Sequence, residues 1–365
     1  MRDAEGVNEG REARLRLLRS ANIGPISYRQ LLARFGTAAA ALEALPMLAA
    51  RGGGRPPVIA DAGLVRREIA TVERLGARYV FLGDPDYPVL LAELETAPPA
   101  LILRGDLGLA HRSCVALVGA RNASAAACRF ARQIALGLAD AGVTVVSGLA
   151  RGIDTAAHVG SIGGGTIGVI ASGIDVTFPP ENRALQERVA TEGLLVAEQP
   201  PGTEPLARFF PSRNRIIAGL SLGTVVVEAA PRSGSLITAR LAAEAGREVM
   251  AVPGSPLDPR AQGCNLLIRE GATLVQSVDD ILEMVRPIDP RAVRAPAQGF
   301  EGSSPEDASD AERRAVVALL GPVPVVVDEL IRQSGLAPAL VQTVLLELEL
   351  AARLERHAGG RVSLA

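Results

Sequence analysis

Six apolar, mostly β-branched runs recur through the middle of this chain, each followed by a turn and an amphipathic stretch. They are Val115–Val118, Thr144–Val146, Ile167–Ile170, Leu194–Ala197, Thr224–Val227 and Val249–Val252. Continuous apolar runs alternating with helical segments predict a parallel sheet buried on both faces. In such sheets a ligand lies beyond the carboxyl ends of the strands. Those ends carry Gly119-Ala-Arg121-Asn122, Ser147-Gly148-Leu-Ala-Arg151-Gly-Ile-Asp154, Ala171-Ser172-Gly173, Glu198-Gln199-Pro200 and Glu228-Ala-Ala-Pro-Arg232-Ser233-Gly234-Ser235. Arginine beside glycine or serine recurs among them, a chemistry suited to phosphate.

A formal net charge of −2 argues against a broadly basic surface, so affinity for a polyanion would have to come from a local patch. The chain has no lysine, and all 38 basic side chains are arginine, so any anion site uses planar, bidentate guanidinium forks. Cys114, Cys128 and Cys264, like His111, His158 and His357, lack the spacing of a metal or redox motif. No metal and no cofactor are expected. No apolar run reaches the roughly 18–20 residues that cross a bilayer, and Met1–Arg19 lacks the apolar core of a secretory leader. A cytoplasmic protein without a membrane partner is the expectation.

A chain of 365 residues has room for two or three domains. Residues 1–75 read as a helical domain. Its Asn22–Ser27 turn resembles the hairpin of small helical nucleic-acid modules, with plain helical packing as the alternative. Arg51-Gly-Gly-Gly-Arg55-Pro-Pro breaks the helical pattern, and a helix over 62–75 follows. Strands over Tyr79–Leu82 and Leu101–Gly105 lead into the sheet domain, residues 76–286. Proline, glycine, serine and acids dominate 287–310, as in a flexible linker. Residues 311–365 read as helix, helix-turn-helix and a terminal strand: a winged helix. Its would-be recognition helix carries Glu347 and Glu349 and no arginine before Arg353. Acids facing phosphates are unfavourable, so this domain is expected to contact protein or pack on its own chain.

Within the centre, Gly119-Ala-Arg121 is not a dinucleotide fingerprint, and no acid ends the second run where a ribose would need one. Ser124 is placed to cap the next helix and present its N–H groups to an anion. Asp154 is placed to cap the helix after it. His158 is either a packing residue or a base, the former being commoner for a lone helical histidine. Phe178-Pro-Pro-Glu-Asn182 sets an aromatic in a proline-rich turn. Arg208-Phe209-Phe210-Pro-Ser-Arg213-Asn214-Arg215 sets two aromatics among three arginines, in a chain only 3% aromatic. Cations interleaved with rings suit single-stranded nucleic acid, although either phenylalanine would serve equally as a core anchor.

The succession Val118-Gly-Ala-Arg121, Ser147-Gly-Leu-Ala-Arg-Gly-Ile-Asp154, Phe210-Pro-Ser-Arg-Asn-Arg-Ile-Ile-Ala-Gly-Leu-Ser221, Ser233-Gly-Ser-Leu-Ile-Thr-Ala239, Val252-Pro-Gly254 and Gly263-Cys-Asn-Leu-Leu-Ile-Arg-Glu-Gly-Ala272 resembles the DNA-processing protein A family, also called Smf. The resemblance covers about Leu82 to Ala272. It implies an α/β fold with an extended Rossmann-like parallel sheet, flanked by an N-terminal SAM-like helical domain and a C-terminal winged helix. It also implies a non-enzymatic homodimer that binds single-stranded DNA and loads the RecA recombinase onto it in natural transformation. Carried over, Gly119 and Arg121 sit at the mouth of a basic pocket, with Ser124 behind. Ser147, Gly148 and Arg151 line a second wall, and Phe210, Arg213, Asn214 and Arg215 a third. Phe178 and Asn182 flank it, and Arg232, Ser233, Gly234 and Ser235 close it. Some relatives place lysine near the Phe178–Asn182 turn, and this chain has none.

The other reading open to the sequence is a nucleotide-processing enzyme of the phosphoribohydrolase kind. Ser221-Leu-Gly-Thr224 followed by Glu228 is the nearest counterpart of its motif, without the Pro-Gly-Gly portion. Release of ribose phosphate from a nucleoside monophosphate would separate the two readings. On the binding reading, Arg121→Ala is expected to weaken affinity for a short single strand by about 1–3 kcal/mol, the loss of one charged contact. An unchanged affinity in an anisotropy titration at physiological salt removes Arg121 from the site.

Overall fold

The structure is a computed structural model and describes residues 2–285, 307–357 and 359–365. Most of the expected linker, 287–306, lies outside the described residues. The chain forms two compact units: residues 68–294 make one, and residues 1–67 with 295–365 make the other. The two ends, read from sequence as separate domains, therefore share a unit.

In chain order the helices α1 (Arg2–Arg19), α2 (Pro25–Phe35), α3 (Ala38–Arg51) and α4 (Ala62–Arg74) come first. The sheet unit then runs β1 (Arg78–Phe81), α5 (Val89–Ala92), β2 (Ala100–Gly105), β3 (Cys114–Val118), α6 (Ala125–Asp140), β4 (Thr144–Ser147), α7 (Ile153–Ser161) and β5 (Thr166–Gly173). It continues with α8 (Arg183–Glu192), β6 (Leu194–Gln199), α9 (Phe209–Leu220), β7 (Gly223–Val226), α10 (Gly234–Glu244), β8 (Glu248–Ala251), α11 (Gln262–Arg269), β9 (Thr273–Leu274) and α12 (Val278–Val285). Last come α13 (Asp310–Ala318), β10 (Val325–Val326), α14 (Val327–Ser334), α15 (Pro338–Leu350), β11 (Leu354–His357) and β12 (Arg361–Leu364).

All six predicted runs are strands of one nine-stranded sheet, ordered β1-β2-β6-β5-β4-β3-β7-β8-β9. From β6 to β9 every neighbouring pair is parallel. The six runs form the parallel sheet expected of them, and further strands extend it at both edges. β1 and β2 extend the β6 edge antiparallel, with Arg104 opposite Leu195 and Tyr79 opposite Ile102. A strand's own sequence does not encode its direction, which the path of the chain decides. β9 is also new, too short to leave a periodic signal.

Both sheet faces are covered, which is why the runs are continuously apolar. Ala116 and Val118 pack with Ile216, Ile217 and Leu220 on one face. Val115 and Leu117 pack with Ile134, Leu138 and Ile281 on the other. The order reverses at β3: successive strands β4, β5 and β6 lie to one side and β7, β8 and β9 to the other. At such a switch point the loops after neighbouring strands diverge and leave a crevice.

In the second unit, α15 from Val341 onward is buried or half-buried on every side. Val341, Val344, Leu345 and Leu348 face the winged-helix core, while Leu346 and Leu350 join Leu17, Leu31, Leu45 and Leu48 from the first helices. A helix apolar on every side is a buried helix. Glu347, 1% exposed, accepts from Arg313 Nε at 2.8 Å and Nη2 at 2.9 Å. Asn22 Nδ2 donates to Leu350 O at 3.2 Å, and Arg353 Nη1 to Gly52 O at 2.9 Å. Of the two outcomes expected for this helix, packing on its own chain is the one observed.

The Arg51-Gly-Gly-Gly-Arg55 stretch proves to be more than a breaker. A Cβ on Gly52 would lie 2.1 Å from Glu347 O, and one on Gly54 2.4 Å from Ala351 O. The glycines let α3 end backbone-to-backbone against α15. Gly52→Ala is therefore expected to cost about 1–3 kcal/mol of stability, as overpacking does. A chemical-denaturation midpoint that does not move would contradict this docking.

Candidate nucleic-acid interface

Three adjoining cavities open beyond the carboxyl ends of the strands. A wide one of about 560 Å³ sits at the switch point, between the loops after β3 and β7. A narrow one of about 90 Å³ lies beyond β4 and β5. The two share Arg121, Ala150, Phe210 and Arg213. A third, of about 490 Å³, adjoins the narrow one at Arg151.

Arg213 is the centrepiece. It lies in the second turn of α9, is only 6% exposed, and lines both of the first two cavities. Gly148 makes room for it: a Cβ there would fall 1.4 Å from Arg213 Nη1 and 2.8 Å from Asp154 Oδ2. Asp154 is also buried and accepts from Ala150 N at 3.3 Å. Burial pushes the Asp154 carboxyl up, against the pull of the Arg213 charge and the backbone donors. Burial likewise pushes the Arg213 guanidinium down from its ordinary value, with Asp154 opposing. Arg213 Nε finds no hydrogen-bond partner among the described residues. A buried donor without an acceptor costs about 1–3 kcal/mol.

The expectation that Asp154 caps its helix is corrected. Gly152 holds the N-cap with φ +72, where a Cβ would lie 2.3 Å from Ala120 O. Asp154 is the second residue of the helix, in its first turn, and serves instead as the counter-charge to Arg213.

Phe210 forms the wall between the narrow and wide cavities. Arg121 lies 5.0 Å and Arg213 5.9 Å from its ring centroid, and Phe178 meets it edge-on at 5.9 Å and 62°. Phe178 is 42% exposed, and its bond to Pro179 is cis. Pro179, Pro205, Ile170 and Ala171 complete the apolar lining. The β5–β6 register shifts between Ile170 and Gly173, turning that strand end toward the cavity. Ile170 and Ala171 are at one of the strand ends expected to face a ligand, whereas no motif in the sequence pointed to Pro205.

In the wide cavity, Gly119 and Arg121 face Asn214, Arg232, Ser233, Gly234 and Ser235. Ser233 caps α10, accepting from Ser235 N at 3.4 Å, and the two hydroxyls are 2.7 Å apart. Asn214 Nδ2 donates to Gly234 O at 3.5 Å. Arg121 and Arg232 are exposed, and among the described residues neither makes an ion pair with a carboxylate.

Other predicted residues are brought to the site's frame rather than its surface. Ser124 does cap α6, accepting from Ala127 N at 3.1 Å. However, the anion at that helix start is the protein's own: Glu228, 8% exposed, accepts from Ser124 N at 3.0 Å and Oγ at 2.7 Å. The same contacts occupy the carboxylate that the hydrolase reading needs. Ser147 is wholly buried, its hydroxyl donating to Leu117 O at 2.6 Å. Asn182 is buried and latches the β4–α7 loop, donating to Leu149 O at 2.8 Å and Thr155 Oγ1 at 3.0 Å. Arg215 spends its charge on Glu198 at 2.5 Å, away from the three cavities. Arg151 pairs with Glu181 on the surface, a contact of little strength, and so stays exchangeable for a phosphate.

Residues 78–286 match the family model described as DNA recombination-mediator protein A. The chain belongs to that family. Its ends match a DprA-like N-terminal HHH domain over residues 8–71 and a DprA winged helix domain over 301–360. DNA processing protein DprA of Streptococcus pneumoniae is 47% identical over 201 residues, 54% of this chain and 71% of that one. A putative DNA processing protein DprA of Mycobacterium tuberculosis is 37% identical over 307 residues, 80% of this chain and 78% of its own. The X-ray structure of the S. pneumoniae protein superposes with a TM-score of 0.58 at 42% identity, covering 61% of this chain and 78% of that one. DNA processing protein A from Helicobacter pylori, whose structure describes that protein's single-stranded DNA binding mode, gives a TM-score of 0.52 at 27% identity over 56% of this chain and 94% of its own. An extended Rossmann-like sheet between a helical domain and a winged helix is thus the architecture of this family member. Among the described residues, no single helix is long and apolar enough to cross a membrane.

His158, of the two roles open to it, is a packing residue. It is wholly buried behind Arg213, with Nδ1 2.7 Å from Thr166 Oγ1. Burial and the nearby Arg213 charge push its pKa from 6.5 down to about 3. A depressed folded value means the unfolded chain takes up the proton first. This contribution to stability is full above about pH 6.5 and is lost as pH falls toward 3. His158→Asn is expected to remove one proton's worth of slope from the stability profile in that window. An unaltered slope in denaturation series at stepped pH would show that His158 is not buried neutral.

Proposed function

We propose that this chain binds single-stranded DNA in the cytoplasm as a homodimer and loads the RecA recombinase onto it during natural transformation and homologous recombination. One observation carries the binding part: two guanidiniums, Arg121 and Arg213, lie over the Phe210 ring, with exposed Phe178 at its edge. Rings accept unstacked bases, and the guanidiniums beside them take the flanking phosphates. A duplex keeps its bases stacked and offers only its phosphates. Arg232 and the start of α10 extend the phosphate track through the wide cavity. The family's description as a recombination mediator, and the single-stranded DNA bound by the H. pylori relative, support the same reading. A site without catalysis agrees with the commitment of Glu228 to the α6 cap.

The test is an anisotropy titration of single and double strands across a salt series. Arg213→Ala also strips the counter-charge from buried Asp154, so Phe210 and Arg121 are the cleaner probes. Phe210→Ala is expected to cost about 1–3 kcal/mol, one lost base stack, with the salt slope unchanged. Arg121→Ala is expected to lower the log–log slope by about 0.7, one single-strand phosphate contact. Duplex binding as tight as single-strand binding would sink the proposal.

A further inference from the structure

The third cavity holds basic side chains that the strand-end motifs do not include. Arg129 and Arg132 stand one turn apart on α6, both exposed, and both line the groove between α6 and α7. Among the described residues, neither guanidinium makes a hydrogen bond or an ion pair. The facing wall is Thr155 and Val159 of α7. Glu181 is the only carboxylate lining the groove, and it is already engaged by Arg151. The two helices are locked in place: a Cβ on Gly160 would lie 2.4 Å from Arg132 O. A close glycine crossing of this kind gives the arginines a rigid platform.

Arg151 lines both this groove and the narrow aromatic cavity, which in turn shares four residues with the wide one. We infer that the α6–α7 groove is an additional binding site for the sugar–phosphate backbone of a single strand, with Arg129 and Arg132 as its phosphate contacts. The inference rests on the binding function proposed above and lengthens its path. The strand leaves the Phe178–Phe210 cavity past Arg151, which exchanges Glu181 for a phosphate, and continues along α6. The Thr155 hydroxyl already donates to Ala150 O and the Asn182 amide to Leu149 O, so the groove has no side-chain amide or hydroxyl donor left to read a base and holds backbone without sequence preference.

The experiment uses the full chain and an oligothymidylate of about 20 nucleotides. Arg129→Ala/Arg132→Ala is well suited, since both sites are exposed on a helix and alanine favours helix. The double variant is expected to bind at least about tenfold more weakly at physiological salt. Its log–log salt slope should fall by about 1.4, two single-strand contacts at about 0.7 each. Cys128, half-buried in the same groove, gives an independent readout. Cys114 and Cys264 are buried, their thiols pushed up to about 12 and about 11, so a maleimide at mildly alkaline pH labels Cys128 first. Saturating oligonucleotide should slow that labelling several-fold. If the slope is unchanged, or Cys128 labels at the same rate with the strand bound, the groove is not on the path. If the wild-type chain binds no single strand at all, the underlying function fails instead.

Discussion

Burying Arg213 is the constraint around which the site is built. A guanidinium at 6% exposure is costly unless charge and space are supplied. Asp154 supplies the charge from the first turn of α7, and Gly148 supplies the space by having no side chain. Phe210, three residues before it on the same helix, supplies a ring. These residues come from the β4–α7 loop, the first turn of α7 and α9, so the loop conformation and the placement of α9 are fixed together. The donor at Nε is left buried with no hydrogen-bond partner among the described residues. An arginine held this way keeps its geometry when a ligand arrives, and little side-chain entropy is lost on binding.

The fold was legible because the sheet is buried on both faces, which writes each strand into the sequence as an unbroken apolar run. The positions of the strand ends followed, and with them the loops that carry Arg121, Arg151 and Arg232 and the start of the helix that carries Arg213. What a residue does at those ends was less legible. Arg215 resembles Arg213 in sequence, two positions away, yet it meets Glu198 from the end of β6. Asn182 reads as a turn residue near an aromatic, yet its amide is consumed by carbonyls about thirty positions earlier. Ser124 marked an anion-ready helix start, yet Glu228, a hundred residues on, already occupies it. A one-dimensional pattern reports which polar groups reach a strand end. It does not report which of them the protein has already paired with its own groups.

The same distinction separates the three cavities. Around Phe178 and Phe210 the walls are apolar, and charge enters from the rim. Around the start of α10 the walls are hydroxyls and backbone donors. Along α6 they are arginines over an apolar floor. A polymer with alternating flat bases and charged linkers meets each environment in turn, whereas a mononucleotide would use only one. With lysine absent, every cationic side chain around these cavities is a planar guanidinium.

The buried α15 has a further consequence. Because Leu346 and Leu350 complete the core of the first helices, the unit formed by the chain's two ends is discontinuous in sequence, with the whole sheet unit inserted between its halves. Removing the C-terminal segment would not trim off an independent module. It would strip an inner helix from the N-terminal domain and expose Leu17, Leu31, Leu45 and Leu48 to water, so truncation at either end is an excision from a shared core.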